Sequence, residues 1–199
     1  MSGNGLEGKR LRLRPAVPED VPTLFEWYRD PKLMSLYDGI AFSAESHDVF
    51  VEQYTSWLQN DVELGFAGAF IMELLDPKRA VGECSWMLVD RTGPESPGIY
   101  QVGGLIGPPD LRGKGLGTEA LRLLRDHMFR DREAHRLEAL TVAFNTGAMK
   151  TLHHNGFVRE GVLREAVLVD GQWRDRVVFS LLRREWESGA APHDSSPAD

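Results

Sequence analysis

Residues Tyr100–Met128 read YQVGGLIGPPDLRGKGLGTEALRLLRDHM. Tyr100 to Gly107 has the makings of a strand. Pro108 and Pro109 end it, because proline has no N–H to give to a ladder. The glycine-rich run Arg112-Gly113-Lys114-Gly115-Leu116-Gly117 follows, and then Leu116, Ala120, Leu123, Leu124 and Met128 recur at helical spacing as one apolar face. The order is strand, glycine loop, helix N-terminus. The first N–H groups of a helix have no intrahelical partner and lie in the positive potential of its dipole. Glycines let backbone approach an anion closely, and Arg112 and Lys114 add positive charge, so the loop is a candidate diphosphate cradle. A nucleotide P-loop is excluded, since no hydroxyl residue follows Lys114. A dinucleotide fingerprint is excluded as well, since Thr118 stands where the third glycine belongs.

The pattern that remains, Arg112-x-x-Gly115-x-Gly117 after a strand and opening a helix, resembles the acetyl-CoA signature of the GNAT superfamily of N-acetyltransferases. A second segment, NTGAMKTLHHNGF at 145–157, resembles that family's closing motif, in the expected order and spacing. Around these two anchors, Leu11 and Leu13 alternate as a first strand. Pro18-Glu19-Asp20 open a helix with Val21, Leu24, Phe25 and Tyr28 on one side, ending near Asp30-Pro31. Lys32 to Phe42 reads as a loop, and Ser43, with Ser46 three residues later, starts a second helix bearing Phe50, Tyr54, Trp57 and Leu58. Strands are expected at 66–75, 80–89, 136–144, 157–169 and 173–182, with a short helix at 148–154 and a hairpin turn at Asp170-Gly171. The order β-α-α-β-β-β-α-β-α-β-β is that of the GNAT fold. It implies an α+β domain over residues 10–187, a mixed and mostly antiparallel sheet flanked by helices, with loose tails at 1–9 and 188–199. The GLIGPPDLRGKGLGTEAL and REGVLREAVLVDGQWRDRVVFSLLRREW segments look most like the Rim-type branch, which includes ribosomal-protein N-terminal alanine acetyltransferases.

A chain of 199 residues suits one domain. Its net charge of −7 argues against a nucleic-acid backbone as partner and is compatible with a cationic acceptor or simply with a soluble surface. No apolar run reaches the ~20 residues of a membrane helix, and the first ten residues lack a signal peptide's apolar core. Cys84 stands alone and has no internal disulfide partner, so the expectation is a cytoplasmic protein. The six histidines show no metal-ligand spacing, and no metal is expected. Trp173, beside the hairpin turn, offers a surface through which two copies can pair as a homodimer.

The resemblance implies that acetyl-CoA is the acyl donor and an amine the acceptor. By position, the loop amides of Gly113, Lys114, Gly115, Leu116, Gly117 and Thr118, with Arg112, would hold the diphosphate. Backbone of Leu105, Ile106 and Gly107 would meet the pantetheine, Gly107 being a bulge residue. The N–H of Gly107 or Ile106 would face the acyl oxygen; the alternative is that Gly103, Gly104 and Gly107 let a helix pack close, and the two readings are compatible. Asn145 would touch the cofactor or a water, or cap the short helix, or do both. Two usual residues are absent. Leu152 stands where many relatives carry a tyrosine that protonates the leaving thiolate, beside His153 and His154, and Gln101 or Val102 stands where many carry a glutamate. Glu83 is the first candidate for a base and Asp38 the second, with Trp27, Tyr28, Tyr37 and Asp38 around the acceptor. The acceptor classes in view are a protein N-terminus and a small amine of polyamine or aminoglycoside type; a silent CoA-binding module is the rival of another class. Cys84, mid-strand and without a nearby histidine, makes a poor nucleophile.

Overall fold

Alternation and helical spacing translate directly into layers. A computed structural model of the chain describes residues 6–37, 46–58, 65–91, 93 and 96–189. Eight strands form one sheet in the order β1-β2-β3-β4-β5-β6-β8-β7. These are β1 (Leu6–Glu7), β2 (Leu11–Pro15), β3 (Ala67–Leu74), β4 (Arg79–Asp90), β5 (Ile99–Ile106), β6 (Arg136–Val142), β7 (Val158–Val169) and β8 (Gln172–Leu182). Every pairing is antiparallel except β5 with β6. The helices are α1 (Val21–Tyr28), α2 (Pro31–Met34), α3 (His47–Trp57), α4 (Leu116–Arg130), α5 (Thr146–His154) and α6 (Arg183–Ser188).

Successive strand residues face opposite sides of the sheet, and the sheet therefore carries two cores. Met72, Val102 and Tyr100 pack with Leu116, Ala120, Leu124 and Met128 of α4. Ile71 and Leu105 pack on the other side with Leu24 and Tyr28 of α1 and Phe50 and Tyr54 of α3. Leu124 and Met128 are fully buried, each contributing roughly 2–3 kcal/mol by removal from water. At the far edge, Asp170 and Gly171 both take positive φ, 50° and 73°, the conformation a two-residue hairpin turn requires.

Four expectations need correction. Residues 6–9 do not lie loose: β1 pairs with β2, and Glu119 on α4 accepts the backbone N–H of Lys9 at 2.6 Å and of Arg10 at 2.8 Å. The expected loop from Lys32 begins as a helix, because Asp30 caps it through the Lys32 N–H at 3.0 Å and Pro31 suits the first helical position. Gly107 is not a bulge; where β4 pairs with its neighbours β3 and β5, the irregularities of register fall at Met72/Glu73 and Leu88/Asp90. The chain past Leu182 adds α6, whose Trp186 stacks on Phe129 at 5.2 Å. Ser46 caps α3 through the Val49 N–H at 3.3 Å. Ser43 and residues 190–199 lie outside the described residues.

Candidate active site

The glycine loop starts α4 through Gly115, whose φ of +79° is a left-handed conformation that a side chain strains, as is the +72° of Gly113. Leu116, Gly117 and Thr118 are then the first helical residues, and their N–H groups have no intrahelical acceptor. Arg10 approaches from β2. Its Nη1 donates to the Lys114 carbonyl at 2.8 Å and its Nε to Glu119 at 2.9 Å. Its guanidinium stands about one van der Waals contact from the Cβ position at Gly115. Arg10 is thus a second cation at the loop beside Lys114, and sequence reasoning missed it because strand and loop are far apart in the chain.

Arg112 behaves differently from the expectation. Its Nε donates to the Ile106 carbonyl at 3.0 Å, and its Nη2 to the Gly107 carbonyl at 2.6 Å and to Asp30 at 3.3 Å. The guanidinium ties the end of β5 to α2, so its charge is largely committed to bracing the strand end.

Beyond the loop, two strands part. β5 and β6 pair only over Ile99–Gln101 and Arg136–Glu138, although β5 continues to Ile106 and β6 to Val142. A cavity of about 840 Å³ fills the opening, lined by Gly103 and Gly104 on one side, Leu140 and Thr141 on the other, and Gly115 and Thr118 at the loop. Antiparallel pairs alternate between bonded and non-bonded residues. Gly107 donates its N–H to the Val81 carbonyl at 3.1 Å, so the bonded pairs along β4 and β5 include Glu83 with Leu105. Ile106 and Gly104, opposite Gly82 and Cys84, alternate with these and turn their N–H groups away from β4 into the gap. Of the three residues proposed for pantetheine contact, only Ile106 presents its amide. Gly107 cannot be the oxyanion donor, because its N–H is already bonded. The glycine serves packing instead: a Cβ there would sit 2.2 Å from the Trp27 indole.

Asn145 caps α5 by accepting the Ala148 N–H at 3.0 Å and donates through Nδ2 to the Leu36 carbonyl at 3.0 Å. It therefore spans from the cofactor side of the gap to the segment after α2. Leu152 lines the cavity and is buried, with no titratable group at that place. His153 sits edge-on to Phe179 at 5.3 Å, while His154 reaches the cavity but bonds the Lys150 carbonyl at 2.6 Å.

Glu83 projects from β4 among Ile71 and Leu105 and is 3% exposed. The Tyr28 hydroxyl donates to its Oε2 at 2.9 Å and the Tyr54 hydroxyl to its Oε1 at 2.9 Å. Burial pushes its pKa up to about 7, the tyrosine hydrogen bonds pull against that rise, and the charge of Asp20 adds to it. The Tyr37 hydroxyl lies 3.4 Å from that of Tyr28, and Tyr37 lines the cavity. Asp38, the second candidate base, lies outside the described residues. Cys84 lines the cavity too, but burial raises its thiol pKa, with the charge of Glu83 adding to the effect. Among the described residues no group of His, Cys, Asp and Glu is arranged to hold a metal ion, and no helix is long and apolar enough to cross a membrane.

Comparison with known proteins agrees with this geometry. The model of the acetyltransferase (GNAT) domain matches residues 10–158. The uncharacterized N-acetyltransferase p20 of Bacillus licheniformis is 28% identical over 179 residues, covering 89% of this chain and 96% of its own. The [ribosomal protein uS5]-alanine N-acetyltransferase of Escherichia coli is 37% identical over a shorter stretch of 78 residues, 39% of this chain and 40% of its own. In fold, the crystal structure of the ribosomal-protein-S5-alanine acetyltransferase from Vibrio fischeri superposes with a TM-score of 0.77 at 19% identity, over 92% of this chain and 98% of that one. A glycine loop opening a helix, a parted pair of strands and a match across most of the chain lead to one conclusion: the chain belongs to the GNAT acetyltransferase family.

Proposed function

We propose that the protein transfers the acetyl group of acetyl-CoA to a primary amine by direct attack, with the α-amine of a peptide N-terminus as acceptor. The observation that carries this reading is the gap between β5 and β6, which opens where the loop at Gly113–Gly117 ends and toward which Ile106 turns its N–H. Acetyl-CoA supplies an activated thioester when bound. The residues present fit it: amides of Leu116, Gly117 and Thr118, with Lys114 and Arg10 beside them, would hold the diphosphate, and amides of Gly104 and Ile106 face the pantetheine path. The Ile106 N–H takes the role of donor to the acyl oxygen, a contact whose removal commonly costs about 3 kcal/mol in transition-state stabilisation.

The amine must be neutral to attack. An α-amine, with a pKa near 8, demands less of a base than a lysine-like amine near 10.4. Glu83, with its pKa raised to about 7, suits the first demand. The cavity chemistry points the same way. Its cationic lining residues are Arg112 and Lys150, and among the described residues no carboxylate lines it. Such walls suit a singly charged amine better than a polycation such as a polyamine or an aminoglycoside. Leu152 offers no proton to the departing thiolate, so that proton comes from the amine or from water. The lone buried Cys84 fits a reducing, cytoplasmic setting.

The test is release of free thiol from acetyl-CoA across N-terminal peptides, polyamines and aminoglycosides. Turnover with peptides and little with the polycations supports the reading. CoA binding without thiol release from any amine would leave only a silent CoA-binding module.

A further inference from the structure

Glu83 does not line the cavity, although its neighbours Cys84 and Leu105 do. Both of its carboxylate oxygens are met by tyrosine hydroxyls. A base sealed in this way reaches an acceptor only through the groups that seal it. We propose that Tyr37 and Tyr28 form a hydroxyl relay that carries the proton of the bound acceptor ammonium to the Glu83 carboxylate. The proposal rests on the acetyl-transfer reading above.

The geometry runs in one line. Tyr37 stands at the cavity wall, its hydroxyl oxygen is 3.4 Å from that of Tyr28, and Tyr28 donates to Glu83 Oε2 at 2.9 Å. The first link is long for a hydroxyl pair, as catalytic hydrogen bonds often are before substrate tightens them. Tyr54 holds the other oxygen and fixes the carboxylate plane. The groups facing Glu83 are Tyr28 of α1, Tyr37 after α2, Tyr54 of α3 and Cys84 beside it on β4; Asp20 acts through its charge and is itself paired with Arg14 at 2.6 Å. No Lys, Arg or His among the described residues pairs with Glu83. A buried carboxylate without a cation is costly, and an apolar residue or glutamine would serve packing at less expense. Proton transfer therefore accounts for a carboxyl at this place better than packing does.

The protons balance. The ammonium gives a proton to the Tyr37 oxygen as Tyr37 gives its own to Tyr28 and Tyr28 gives its own to Glu83. A neutral amine and a protonated Glu83 result, with both tyrosines restored. As the carbon–nitrogen bond forms and the carbon–sulfur bond breaks, the second proton leaves the nitrogen for the departing thiolate, and Glu83 then returns its own proton along the same path to solvent.

The experiment measures kcat at saturating amine against pH, with CoA affinity measured separately. For the wild-type protein kcat should fall as pH drops through about 7, where burial places the Glu83 titration. Glu83→Gln should lose that limb and roughly 10²-fold in kcat. Tyr37→Phe should lose a similar factor with CoA affinity unchanged. Tyr28→Phe removes the middle link and should lose a similar factor in kcat, and any limb that remains should lie at higher pH, because a hydrogen bond that favours the carboxylate is gone. Wild-type kcat in either Tyr37→Phe or Tyr28→Phe would overturn the relay and leave acetyl transfer standing. A wild-type protein that releases no thiol from any amine would overturn both.

Discussion

Replacing Glu83 by glutamine should make the protein more stable in alkali than in acid, relative to wild type. The buried carboxyl titrates near 7 in the folded chain against an ordinary value of 4.5. That difference, at 1.36 kcal/mol for each pKa unit, amounts to about 3 kcal/mol. The sign follows from proton binding. The folded state holds this proton more tightly than the unfolded state, so its stabilising contribution is complete below about 4.5. It is lost as pH rises, and above about 7 the folded protein bears the whole cost of a buried charge. Glutamine has nearly the same shape and no charge. Its amide accepts a hydrogen bond from one of Tyr28 and Tyr54 and must rearrange with the other, a pH-independent cost of about 1 kcal/mol. Ion pairs such as Arg14–Asp20 and Arg136–Glu160 weaken in acid, but they do so in both proteins and cancel in the difference. Urea unfolding of both proteins at several pH values between 4.5 and 8.5 provides the measurement. The variant should gain about 3 kcal/mol on wild type across that range, roughly 6–12 °C in Tm for a chain of this size. A difference that stays flat with pH would refute the claim that burial perturbs Glu83.

Asn145→Ser keeps a helix cap but cannot reach the Leu36 carbonyl; the KM for amine should rise about fivefold with CoA affinity little changed, as steady-state kinetics and calorimetry would show. Gly107→Ala places a methyl group where the Trp27 indole lies and should cost about 1–3 kcal/mol in denaturant unfolding, because the ring must shift. Cys84→Ala should retain thiol release with initial-rate patterns that show no acyl-enzyme, since the thiol is buried and its pKa is raised.

Much of the fold was legible because glycine and proline punctuate it. Pro108-Pro109, the Gly113–Gly117 run and Asp170-Gly171 mark their boundaries locally, and the strands and helices between them fall within about two residues of the expected ends. Asp30-Pro31 misled because the pair that ends α1 also starts α2. The contact of Lys9 and Arg10 with Glu119 was invisible, since it joins positions 109 or 110 residues apart. At the site, the loop was readable because backbone conformation follows from glycine itself. The acyl-oxygen donor was not, because whether Gly107 or Ile106 offers its N–H depends on register against β4. Glu83 was visible as a strand carboxylate, but its environment comes from tyrosines on separate elements, and nothing local encodes that meeting.

The central claim is that backbone amides at the start of α4 hold the diphosphate of CoA. Calorimetric titration of CoA into wild type, Gly115→Asn and Gly115→Asp tests it most directly. Asparagine and aspartate, the side chains that enter the left-handed backbone at least cost, strain this position alike, so the two variants differ mainly in charge. One negative charge about 5 Å from a doubly charged diphosphate costs between about 2 kcal/mol in water-like surroundings and about 7 kcal/mol at an effective dielectric of 20. The account predicts that Gly115→Asp binds CoA at least about 30-fold more weakly than Gly115→Asn while unfolding at a similar denaturant concentration. Equal affinity in the two variants would contradict it.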